Sequence, residues 1–176
     1  MTNLYKDISC GDNSPDEINV IVEVPKNSSN KYEYNETKGN FELDRIIHSP
    51  LFFPFEYGFI PQTLSEDGDP LDVVLLSTYP TFPGCLVKAT PVGVLMMEDE
   101  KGIDHKIIAV PLEKLDPHFK GVENIEDINQ HLKKEIEVFF QDYKNLEKDK
   151  FVKIMGWGKV VQAKEIIKKA SEKYEG

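Results

Sequence analysis

Ile18-Asn19-Val20-Ile21-Val22-Glu23-Val24-Pro25 places an apolar side chain at every second position, Ile18, Val20, Val22 and Val24, and then stops on a proline. A period of two marks a β-strand, because successive side chains of an extended chain point to opposite faces, and proline ends the ladder for want of an N–H. This reading turns Glu23 away from the valines. Working outward, further strands are expected at Lys31 to Tyr34, Asn40 to Ile47, Val73 to Leu76, Cys85 to Thr90, Gly93 to Met97, Lys106 to Val110 and Phe151 to Trp157, separated by Pro, Gly and Asn. Many short strands with close turns predict a small barrel.

Two segments change period. Ile128, Leu132, Ile136, Phe139, Phe140 and Tyr143 recur at helical spacing, and Asp127 and Gln130 have the separation of a capping box. Tyr143 falls on the core-facing stripe. Ala163, Ile166, Ile167 and Ala170 form a shorter stripe, as expected of a C-terminal helix packed outside the barrel. The chain shows no repeat and no linker, and 176 residues fit a single domain, 1–176.

Composition excludes several classes. Lys and Arg number 21 against 31 Asp and Glu, a formal net charge of -10, so a nucleic-acid backbone is repelled. An acidic chain still handles an anion if its carboxylates first collect metal ions, which reverse the local field. Cys10 and Cys85 have no CxxC spacing, which argues for a reducing compartment and against a zinc site or disulfide framework. Residues 1–11 lack the apolar run of a signal peptide, and no stretch approaches the length of a membrane span. A cytoplasmic location without membrane contact is expected.

Asp67-Gly68-Asp69-Pro70-Leu71-Asp72 puts three carboxylates immediately before a strand. Asp67 and Asp69 share a parity that Asp72 lacks, but Gly68 and Pro70 predict a bend that brings all three together. Hard oxygen ligands converging on a point suit Mg²⁺ or Mn²⁺, although a solvated acidic turn has the same composition. A calcium loop is excluded: the sixth and twelfth positions from Asp67 hold Asp72 and Thr78 instead of Gly and Glu.

Weaker signals surround this run. Asp99 and Asp104 flank a hairpin turn at Gly102, with Lys106 on the face of Asp104; an exposed ion pair would read the same. Arg45 has the parity of Phe41 and Leu43 and so points to the apolar side unless the strand is bulged; a buried Arg needs an anion, from substrate or from a structural carboxylate. Lys31 and Glu33 share one face of their strand and Tyr32 and Tyr34 the other. In the aromatic run Phe52 to Phe59 most rings read as core, with Tyr57 beside Gly58 the exception. Tyr143-Lys144 offers a phenol and an ammonium at a helix end. His48, His105, His118 and His131 have no zinc-ligand spacing, which leaves surface or structural roles.

As a set, these residues resemble the family I soluble inorganic pyrophosphatases of bacterial type. The family signature D-[SGDN]-D-[PE]-x-D is met by Asp67 to Asp72, and the likeness runs from about Pro15 to the final helix. The resemblance implies a mainly β (α+β) fold, a small closed OB-like β-barrel with a long helix and a C-terminal helix packed outside. It also implies hydrolysis of pyrophosphate to two orthophosphates by a water activated between Mg²⁺ ions. By the same likeness Asp67, Asp72, Asp99 and Asp104 hold several Mg²⁺ ions, with Glu23 assisting, and Asp69 serves the attacking water. Lys31, Glu33, Arg45, Tyr57, Lys106, Tyr143 and Lys144 then form the phosphate side. Mn²⁺ or Zn²⁺ would substitute, Ca²⁺ would inhibit, and a homo-oligomer, a hexamer, is implied. One departure is Phe53, where bacterial members commonly carry Tyr, so a hydroxyl at the edge of the site is absent.

Two other classes compete. A divalent-cation buffer would use the carboxylates but has no need of Lys31, Arg45, Lys106 and Lys144 beside them. A barrel binding single-stranded nucleic acid would use the aromatic run, against the net charge.

Overall fold

The computed structural model describes residues 2–175. Its strands are β1 (Ile18–Val24), β2 (Asn30–Asn35), β3 (Asn40–Ile46), β4 (Glu56–Phe59), β5 (Asp72–Leu75), β6 (Leu86–Asp99), β7 (Gly102–Ile103), β8 (Lys106–Pro111) and β9 (Val152–Lys159); its helices are α1 (Gln130–Asp142) and α2 (Val160–Glu175). The order β1-β4-β5-β8-β6 closes through a β1–β6 pairing into a ring, with β7 and β9 on β6 and the β2–β3 hairpin forming a separate sheet. The mainly β, ring-closed architecture agrees with the sequence expectation.

The ring is held by alternation. Val73 and Leu75 of β5 and Ile107 and Ala109 of β8 belong to a buried cluster completed by Ala163, Ile167 and Ala170 of α2. The intervening Val74, Ile108 and Val110 belong to another, completed by Ile136, Phe139 and Phe140 of α1. The two helices therefore serve opposite faces of these strands. Burying a Phe or Ile side chain contributes about 1.5–3 kcal/mol, and Phe53, Phe55, Phe59 and Phe140 are all fully buried. Gly58 is required by close approach, since a Cβ there would lie 2.0 Å from the Ile21 carbonyl oxygen.

Several local expectations need correction. The segments expected on either side of Pro91 are one strand, β6; Val92 is an extra residue opposite β8, and that bulge accommodates the proline. β4 lies inside the aromatic run, where the absence of alternation hides it; among those rings Phe52 is 59% exposed and faces solvent. The helix α1 is capped by Asn129, whose side chain accepts from the His131 N–H, and the Asp127 box belongs instead to a 3₁₀ turn opened by Asn124. At 16 residues against 13, the C-terminal helix is the longer of the two.

Candidate active site

A polar cleft of about 430 Å³ opens where β5 and β8 begin, and β1, β2, β3, β4, β6 and the end of α1 all reach it. Its lining includes Glu23, Lys31, Glu33, Arg45, Tyr57, Asp67, Asp69, Asp72, Asp99, Asp104, Lys106, Tyr143 and Lys144. Every candidate named from sequence is thus brought to one place.

The geometry follows from strand pairing. β5 and β8 are parallel with Val73 opposite Ile107, which sets Asp72 beside Lys106 at the start of each strand. Asp104 stands two residues before Lys106 and reaches the same ammonium, so Lys106 Nζ is bonded to both carboxylates. The β6–β7 turn presents Asp99, and Tyr143 caps the C-terminus of α1 so that Lys144 donates to Asp99 Oδ2 at 2.8 Å. Gly68, at φ 93°, supplies the expected bend, and Asp67 Oδ1 accepts the Asp69 N–H at 3.2 Å.

Two bulges aim the remaining groups. In β1, Val22 pairs with Gly58 and Val24 with Tyr57, so Glu23 is the extra residue; it is buried, and its Oε1 accepts the Tyr34 N–H at 2.8 Å. In β3, Leu43 pairs with Tyr32 and Arg45 with Lys31, so Asp44 is extra. That bulge is the exception on which the parity reading of Arg45 turned: the side chain lies in the cleft, with Nε 3.0 Å from Glu147 Oε1 and a further bond to Asp44. Lys31 pairs with Glu33 on the face they were expected to share.

Burial pushes the Glu23 carboxyl up to about 8, with the Tyr34 amide opposing and Asp72 adding to the rise. Partial burial and then Asp67 raise Asp69. Burial raises Asp104 too, Lys106 opposes, and Asp72 adds repulsion. Asp99 goes the other way: against its burial, the Lys144 ammonium and the Lys101 N–H hold it low. Burial disfavours the Lys106 charge, but Asp72 and Asp104 outweigh it and raise its pKa. Burial, then Asp72 and Asp104, raise the Tyr57 hydroxyl, which stays a donor. The Lys106 ammonium lies 5.6 Å from the Tyr57 ring centroid.

Among the described residues no group of three His, Cys, Asp or Glu side chains stands close enough to hold a metal as they are. Asp72, Asp104 and Asp99 are instead paired with lysines. The donor set nevertheless fits a hard divalent cation: it is all oxygen, and Asp72 and Asp104 converge on a single positive atom while repelling each other. Lys106 stands where a cation is electrostatically required. Asp67, Asp72, Asp99, Asp104 and Glu23 are the cleft's oxygen donors that could hold a hard divalent cation.

Sequence reasoning missed some of the lining. Glu100 bonds Lys144 at 3.5 Å and also Lys150, and Tyr5 enters from the N-terminal segment. The acidic Glu100 adjoins Asp99 and was legible by adjacency; nothing local marked Tyr5. Phe53, expected at the site's edge, does not line the cleft: it is 1% exposed, with its ring centroid 5.7 Å from Tyr57 and 4.6 Å from Phe139. Of the histidines, His105 is half-buried and its Nδ1 accepts the Met97 N–H at 3.3 Å; His48, His118 and His131 are exposed.

The profile of a family described as inorganic pyrophosphatase matches residues 20–175. An inorganic pyrophosphatase of Saccharolobus solfataricus is 48% identical over 163 residues, covering 93% of this chain and 95% of that protein. One of Aeropyrum pernix is 48% identical over 176 residues, covering 100% of this chain and 99% of the relative. The crystal structure of inorganic pyrophosphatase from Thermus thermophilus superposes with a TM-score of 0.96 at 44% identity, covering 99% of this chain and all of that one.

Proposed function

The chain belongs to the inorganic pyrophosphatase family, and from that premise we propose that it hydrolyses pyrophosphate to two orthophosphates in this cleft, with Mg²⁺ as its metal. The observation that carries the reading is the Lys106 ammonium held between Asp72 and Asp104. Carboxylates that need cations and cations that need anions share one wall. A polyanion accompanied by divalent metal satisfies both, whereas a metal buffer would leave the cations without purpose and a nucleic-acid site would conflict with a net charge of -10.

Phosphoryl transfer gives a protein little covalent chemistry to do; positioning and charge stabilisation dominate. Mg²⁺ bound at the carboxylates supplies Lewis acidity, neutralising phosphate oxygens and acidifying water. Asp72, Asp104 and Asp99 would hold the metal, and Lys106 and Lys144, which they pair with here, are the ammonium groups placed to donate to phosphate oxygens. Lys31 and Arg45 approach from the hairpin, with Glu33 and Asp44 fixing their ammonium and guanidinium groups. Tyr57 and Tyr143, whose hydroxyls burial keeps neutral, line the same cleft and donate to phosphate oxygens. Asp69, between the two outer carboxylates of the acidic loop and lining the same cleft, takes the proton of the attacking water.

A cytoplasmic location and assembly into a homo-oligomer, a hexamer by resemblance, belong to the same proposal. Among the described residues no helix is long and apolar enough to cross a membrane. The direct test is colorimetric phosphate release from pyrophosphate by the purified protein at saturating Mg²⁺. Rapid release is expected, and its absence would overturn the reading.

A further inference from the structure

The β2–β3 hairpin carries Lys31, Glu33 and Arg45 into the cleft, yet neither of its strands pairs with the ring. A lone two-stranded ribbon has little stability of its own in water. Side-chain packing must therefore set where it lies. Part of that packing is a small cluster in which Ile21 and Phe59 of the ring and Tyr34 of the hairpin are buried, with Phe41 of the hairpin and Leu4, Tyr5 and Ile8 of the N-terminal segment packed partly buried against them. The segment lies outside residues 20–175, where the family profile matches.

Tyr5 stands at the centre of this contact. Its ring meets Phe59 edge-on at 4.6 Å between centroids and Tyr34 at 5.1 Å, the geometry aromatic pairs prefer. Its hydroxyl donates to the Tyr34 carbonyl oxygen at 3.3 Å, and its own carbonyl accepts the Gln62 N–H at 3.0 Å. Gln62 Nε2 donates to the Lys6 carbonyl at 2.7 Å, and the Leu4 N–H donates to the Tyr34 hydroxyl at 3.1 Å. Asn3 Oδ1 fixes the turn by accepting the N–H groups of Tyr5 and Lys6 at 3.0 and 3.1 Å. One segment thus ties the hairpin to the loop that leads from β4 to Asp67. The same Tyr34 gives its N–H to Glu23.

We propose that Tyr5 is a positioning residue that clamps the β2–β3 hairpin, so that Lys31 and Arg45 face the carboxylate wall, and thereby sets the affinity for pyrophosphate. The effect on substrate rests on the pyrophosphatase reading of the cleft. The clamp itself does not depend on turnover.

The test compares Tyr5→Leu and Tyr5→Phe with the natural protein by steady-state kinetics at saturating Mg²⁺, Mg²⁺ calorimetry without pyrophosphate, and amide hydrogen exchange. Tyr5→Leu is expected to raise KM about tenfold and change kcat less than about threefold, with Mg²⁺ affinity within about twofold. Tyr5→Phe, which keeps the ring and loses only the hydroxyl bond, is expected to restore KM to within about threefold. Exchange across residues 30–46 should quicken in Tyr5→Leu while β5 and β8 keep their protection. An unchanged KM in the folded variant overturns the proposal, as does a parallel loss of kcat, metal affinity and protection throughout the chain. Should Tyr5→Leu fail to fold, Tyr5→Met takes its place, since it fills more of the cluster but cannot meet Phe59 and Tyr34 edge-on: faster exchange across residues 30–46 supports the clamp and unchanged exchange rejects it. A natural protein that releases no phosphate rejects the function, and the exchange data still decide the clamp.

Discussion

Lys144 donates to Asp99 Oδ2 at 2.8 Å, joining the end of α1 to the β6–β7 turn along the wall of the cleft both line. Both side chains are nearly buried, at 9% and 7% exposure, so neither charge is left to water. A pair of this kind is weak as a source of stability but costly to break on one side, because the abandoned charge stays desolvated.

This pairing makes Lys144 and the metal rivals for Asp99. Lys144→Gln should raise KM for pyrophosphate about tenfold, about 1.4 kcal/mol, while Mg²⁺ binds the resting variant at least as tightly as before. Kinetics and calorimetry on the same preparation check both halves. Weaker Mg²⁺ binding with an unchanged KM would mean that Lys144 organises the metal side and does not hold substrate.

Glu23 predicts a pH dependence of stability in the metal-free protein. Its carboxyl rises from 4.5 to about 8 on folding, so between those values the folded state keeps a proton that the unfolded chain has released. Stability therefore falls as pH rises through that window, by an amount on the order of a few kcal/mol. Thermal denaturation in chelator across the window should show Tm declining with pH, and Glu23→Gln should flatten the decline. A natural protein whose Tm rises over the same range would contradict the assignment.

Phe53→Tyr adds a hydroxyl to a ring enclosed by Phe55, Tyr57 and Phe139. Because the ring lies behind the cleft wall, activity should stay within about tenfold, about 1.4 kcal/mol of barrier. The stability loss should reach about 1–3 kcal/mol if the hydroxyl finds no partner. Urea unfolding and kinetics of the variant at saturating Mg²⁺ check the two separately.

The three carboxylates of the acidic loop should divide their work. Asp69→Asn keeps shape and one acceptor but loses the base, so kcat should fall roughly 100-fold or more with little change in metal affinity. Asp67→Asn and Asp72→Asn should weaken Mg²⁺ binding and recover part of their rate as Mg²⁺ is raised. Rate against Mg²⁺ concentration for all three is the measurement; equal rescue of Asp69→Asn would make it one more metal ligand.

Much of this was legible because the signals were periodic or dense. Alternation in Ile18–Val24 and the helical stripe through Phe140 fixed element types, and the acidic loop announced itself by charge crowding. What escaped was register. Nothing in the composition of β1 or β3 shows that Glu23 and Asp44 are extra residues in bulges, yet those bulges turn Glu23 and Arg45 into the cleft. β4 escaped because Glu56–Phe59 is short and its apolar and aromatic residues do not alternate with polar ones, leaving no period to read. Tyr5 reaches the cleft only through tertiary contacts with Tyr34, Phe59 and Gln62, which no local pattern encodes.

The most direct test of the account is phosphate release from pyrophosphate measured in three arms: excess chelator, saturating Mg²⁺, and Ca²⁺ as the only metal. Mg²⁺ suits a tight octahedral shell and Ca²⁺ a longer, looser one. Release should vanish in chelator, return in full when Mg²⁺ is added back, and stay low with Ca²⁺ alone. Equal release in excess chelator would contradict the claim that these carboxylates act by holding metal beside a phosphate-binding wall.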